Sequence, residues 1–95
     1  MDDHLDGFYS WLDGKLKGVA SSVVDQVGRY VDSGGGLTEQ GLRDPIRTLR
    51  KNIREEGFRR EDALQVLLEV PEANDPKYRP AVDFVLKEAY NGNRH

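Results

Sequence analysis

Apolar residues return at helical spacing along the first third of the chain. Leu5, Phe8, Leu12, Leu16, Val19, Val23, Val27 and Val31 step by 3, 4, 4, 3, 4, 4 and 4, close to the helical period of 3.6. Tyr9, Ala20 and Val24 widen the same face. The pattern predicts one helix from Asp2 to about Val31. Four glycines (Gly7, Gly14, Gly18, Gly28) interrupt it, each costing about 1 kcal/mol relative to alanine inside a helix, so the helix needs tertiary packing to hold it. A straight run of this length spans about 45 Å, against about 30 Å for a compact domain of this size. Either the helix breaks near Asp13-Gly14 or it projects beyond its own domain into a partner.

The tract Asp32-Ser33-Gly34-Gly35-Gly36 reads as a flexible turn, at 33–36, that reverses the chain. Leu37-Thr38 follows as hydrophobic staple and N-cap, with Leu42 at the paired position. Asp44-Pro45 has the composition of an N-cap and first helical residue. Leu42, Ile46, Leu49 and Ile53 then form a single apolar stripe, and Gly57 supplies the left-handed residue that ends the helix, with Phe58 folding back towards Ile53. A further helix is expected from Arg60 to Glu69. Its Ala63, Leu64, Val66, Leu67, Leu68 and Val70 cover more than half the circumference, so it is expected to be the most buried element. Pro71 stops it. Residues 71–79 form a polar loop, and Pro80 opens a last helix that runs to Asn91-Gly92, leaving 93–95 as a frayed tail. Nothing alternates with the period of a strand. The fold class is all-α: one domain over residues 1–95, a small bundle of four or five helices with a long, glycine-containing first helix.

Composition agrees with that picture and narrows the chemistry. Hydrophobic residues make up 37% of the 95 and charged residues 33%, and the apolar ones are patterned, unlike those of a disordered chain. The chain has no cysteine, which removes disulfides, thiolate catalysis and cysteine-held metal. No apolar run approaches a membrane span, and the acidic start (Asp2, Asp3, Asp6) is unlike a targeting peptide. A cytoplasmic protein is expected.

The net charge of −3 conceals a division. Residues 1–39 carry seven acidic and three basic side chains, 40–60 three acidic and seven basic, and 61–95 seven acidic and four basic. The basic island holds a second stripe one residue round from the apolar one. At about 100° per residue, Arg43, Arg47, Arg50 and Arg54 share one face, with Lys51 beside it.

Catalytic arrangements are not apparent. The two histidines, His4 and His95, sit near the chain ends. No HExxH, EF-hand spacing or Glu-x-x-His pair is present, and the glycine tract lacks the lysine of a phosphate-binding loop. No acidic residue stands in an apolar setting that would raise its pKa. Neither enzymatic activity nor a cofactor or metal is expected.

Binding remains, at two places. On the helical wheel Gly7, Gly14 and Gly18 lie opposite the apolar stripe with Trp11 among them. Trp11 either covers the end of the core where the helix breaks or forms an exposed aromatic anchor of the kind interfaces favour. The arginine stripe is either a solvated face or a docking surface, since guanidinium groups pair bidentately with carboxylate or phosphate. The expected function is a non-enzymatic protein–protein interaction module, self-associating as a homodimer or joining a larger complex. The alternative is a nucleic-acid-binding regulator using Arg43, Arg47, Arg50, Lys51, Arg54, Arg59 and Arg60. Against it stand the acidic total, the short island and the lack of interleaved aromatics. A helix-turn-helix fails because its second helix is too apolar for a groove. The acidic residues of the first helix disfavour a lipid surface.

Overall fold

Helix α1 (Asp3–Asp32) is a single unbroken helix of 30 residues. The computed structural model describes the backbone of residues 3–91 and the side chains of residues 16–91. Between the two courses open to the first helix, continuity holds: the backbone passes through Gly7, Gly14 and Gly18 without interruption. Its buried side chains among the described residues are Leu16, Ala20, Val23, Val24 and Val27, and Val19 and Val31 pack partly against them. Tertiary burial of this face holds the helix through Gly18 and Gly28.

At the end of α1 the glycine tract takes a defined shape. The Gly34 N–H donates to the Val31 carbonyl at 2.9 Å and the Gly35 N–H to the Tyr30 carbonyl at 3.1 Å, with Gly34 at φ 91°. These two bonds are the Schellman ending, which satisfies carbonyls the last helical turn leaves open. Thr38 then starts a turn, its Oγ1 accepting from the Gly41 N–H at 2.9 Å and its carbonyl from the Leu42 N–H at 3.0 Å. The staple expected beside it does not form. Leu37 stands 51% exposed while Leu42 is fully buried.

Helix α2 (Arg43–Glu56) begins earlier than its Asp44-Pro45 pair suggests, and no side chain caps it. The turn from Thr38 delivers the chain already helical at Arg43, so Asp44 lies in the first turn. Pro45 still fits there, because its missing N–H belongs to the set a helix start leaves unpaired. At the other end Gly57, at φ 71°, donates its N–H to the Ile53 carbonyl, the left-handed stop the sequence predicts. Ile53 and Phe58 are both buried in the core.

Helix α3 (Arg60–Glu69) is followed by the 3-10 turn Pro71–Asn74 and by α4 (Arg79–Asn91). The expectation that α3 is the most buried element fails. It buries Ala63, Val66 and Leu67, leaving Leu64 and Leu68 half-exposed at the surface, whereas α4 buries Ala81, Val82, Val85, Leu86 and Ala89. In the loop between them Ala73 is fully buried, so that segment is not wholly polar. Helix α2 packs on both α1 and α4, and α3 packs on α1 and more sparsely on α4. The result is a small all-α bundle. Among the described residues no helix is long and apolar enough to cross a membrane.

Candidate functional site

The apolar stripe of α2 (Ile46, Leu49, Ile53) faces the core, and this fixes the direction of the arginine stripe. About 100° per residue sets Arg43, Arg47, Arg50 and Arg54 within roughly 60° of one another. All four line cavities on the same side of the helix. The larger, about 690 Å³, has Glu39, Gln40, Arg43, Ile46, Arg47 and Arg50 as its described walls. The second, about 400 Å³, is lined by Arg47, Arg50, Lys51, Arg54 and Glu55. Arg47 and Arg50 belong to both, so the two lie side by side along the helix.

The four arginines are not equivalent. Arg43 and Arg47 are exposed. Arg50 is half-buried, and its Nη2 donates to the Glu88 carbonyl at 2.9 Å. Glu88 lies in the last four residues of α4, where carbonyls lack partners within the helix and the dipole favours a cation. Arg50 therefore clamps α2 to the end of α4, and its Nε is buried without a partner. Lys51 is exposed beside the stripe. Arg59 and Arg60 are also exposed, but they stand at the start of α3 and line neither cavity.

Of the first helix's candidates, Trp11, Gly7 and Gly14 lie outside the residues whose side chains are described. Gly18 is exposed, and nothing lies within 4 Å of where its β-carbon would be. No described contact joins it to the arginine face.

A polar cluster the sequence reading missed closes the far end of α1. The Tyr78 hydroxyl donates to Asp32 Oδ1 at 2.8 Å, and Lys77 Nζ stands 2.8 Å from the same oxygen and 5.5 Å from the Tyr78 ring centre. Hydrogen bonds from Lys77 and then Tyr78 hold the Asp32 carboxyl below its ordinary pKa, and the Asp32 bond raises both Lys77 and Tyr78. The partners are 46 residues apart in sequence, and no periodicity links them. A cavity of about 340 Å³ opens beside Asp32 and Tyr78. A solvated carboxylate held through one oxygen by a cation and a phenol acts as a clasp between α1 and the approach to α4.

Among the described residues no three His, Cys, Asp or Glu side chains gather as a metal site. No family model matches the chain, and no curated protein or solved structure matches it.

Proposed function

We propose that this chain is a non-enzymatic protein-interaction module, a small regulator, adaptor or complex subunit, that docks an acidic protein partner on the outer face of α2. The observation that carries the reading is the paired cavity shared by Arg47 and Arg50. The guanidinium groups of exposed Arg43 and Arg47 make no hydrogen bond or ion pair with the described residues. Guanidinium groups in that state are available for bidentate carboxylate pairing.

The unbroken α1 supports a second element of the reading, self-association. A helix of 30 residues extends about 45 Å, longer than a bundle of this size needs. A cytoplasmic location accompanies the proposal. Nucleic acid is the alternative occupant of the same arginines, and binding separates the two. Poly-glutamate, a mixed-sequence DNA duplex and a single-stranded RNA would be titrated into the protein at several salt concentrations. Poly-glutamate should bind and the Arg43→Glu/Arg47→Glu variant should lose it. Preference for either polynucleotide, with a salt slope that falls as arginines are removed, would favour the alternative. Undiminished poly-glutamate binding in the double variant would sink the use of this face.

A further inference from the structure

The form of the partner can be taken one step further, resting on the docking reading above. We propose that the α2 face takes a short, extended acidic peptide segment whose carboxylates fall at alternate positions. The two adjoining cavities, reaching from Gln40 to Arg54, set its length.

Spacing gives the register. Steps of four and three residues place Arg43, Arg47 and Arg50 about 6 Å and then about 4.5 Å apart along the helix axis. An extended strand repeats side chains on one side at about 6.7 Å. Flexible arginine stems cover the remaining difference, so successive guanidiniums can meet every second residue of a strand. Consecutive carboxylates would point to opposite sides and leave some facing away.

The ends limit the length. Glu39 lines the first cavity and Glu55 the second, so a carboxylate borders the paired cavities at each end. From Arg43 to Arg54 the helix rises about 16 Å, room for about five extended residues. Each further carboxylate of a longer polyanion would lie against Glu39 or Glu55 rather than an arginine of the stripe, adding little to the affinity. A short acidic run has no such conflict.

Arg50 anchors the middle. The Glu88 carbonyl already fixes its guanidinium, and it lines both cavities. A cation held in place beforehand gives up less freedom when it pairs, and partial burial strengthens the pairing.

The test uses capped pentapeptides of equal composition, Glu-Ser-Glu-Ser-Glu and Glu-Glu-Glu-Ser-Ser, and a five-nucleotide oligothymidylate. Each is titrated at low salt into the full chain and into Arg47→Glu, following backbone amide shifts. Arg47 is exposed, so the variant should fold as the parent does. The alternating peptide should move the amides of α2, bind about fivefold more tightly than its isomer, and lose that preference in Arg47→Glu. Equal binding of the two peptides, both lost in the variant, would overturn the alternating register while leaving an acidic partner in place. Silence at α2 from both peptides, with poly-glutamate still bound, would overturn this inference alone. If poly-glutamate fails as well, or if oligothymidylate binds more tightly than either peptide, the docking reading falls with it.

Discussion

A β-carbon on Gly41 would fall inside the space held by the Tyr30 hydroxyl and ring, and one on Gly35 would meet the same ring. Tyr30 thus closes the turn between α1 and α2, and two of the glycines around it are required by its ring. Gly41→Ala should destabilise by about 1–3 kcal/mol, the usual cost of overfilling a packed site. The cost should fall in a Tyr30→Ala background without vanishing, because Thr38 Oγ1 stands 2.8 Å from the same position. A urea double-mutant cycle reads the coupling. Equal costs in both backgrounds would place the strain at Thr38 or in the backbone.

Tyr90 offers a test through pH. Its hydroxyl donates to the Phe58 carbonyl at 3.0 Å. Burial, helped by Asp62 and Glu61, pushes its pKa up to about 12. Because the folded value lies above the unfolded one of about 10, the phenol's contribution is complete below pH 10 and is lost as pH rises towards 12. Tyr90→Phe should cost about 1 kcal/mol at neutral pH through the unpaired Phe58 carbonyl. It should also flatten the fall in stability above pH 10 relative to the parent. Parallel alkaline profiles for the two proteins would assign the loss to other groups.

At the scale of the element, α2 was largely legible in the sequence. Its stripe of Ile46, Leu49 and Ile53, its Gly57 ending and its arginine face all follow from period and residue type. Its start was not. Asp44-Pro45 carries the residue types of a helix entrance, but the bonds from Leu42 and Gly41 back to Thr38 settle the entry upstream. The inequality within the arginine stripe is readable in the sequence. Arg50 lies about 40° round from Ile46, nearer the core stripe than its neighbours on the wheel, so it is the one to be half-buried. Its Glu88 partner, 38 residues away, is a product of tertiary packing that no local pattern encodes. Arg50→Ala should therefore cost about 1–2 kcal/mol, from a lost charge-assisted bond and lost packing. Arg47→Ala should stay within about 0.5 kcal/mol. Thermal unfolding of the two variants decides it, and equal effects would mean that Arg50 does not clamp α4.

For the whole molecule, the long first helix decides the shape. The extents are 50 × 32 × 16 Å and the radius of gyration 13.7 Å, somewhat above the roughly 12 Å of a compact chain of this length. Helix length was readable from the apolar period, but continuity was not, because a glycine in a helical pattern is compatible with either a break or a packed helix. The described burial on α1 runs from Leu16 to Val27, about 17 Å of its 45 Å rise. In the sequence the same stripe continues back through Leu12, Phe8 and Leu5. Light scattering across a concentration range should accordingly give a mass rising towards twice the 10.8 kDa of one chain. The rise should persist at high salt, since apolar burial is not screened as exposed charge is. Gly18→Ala sharpens the test. With open space around the position, alanine should stabilise the monomer by up to about 1 kcal/mol through helix propensity. If the glycine side of α1 also meets the second copy, the same substitution should weaken dimerisation, moving stability and association in opposite directions. A dimer untouched by Gly18→Ala would put the contact on the apolar stripe instead. A monomer at every concentration would leave the arginine face of α2 as the place where a partner binds.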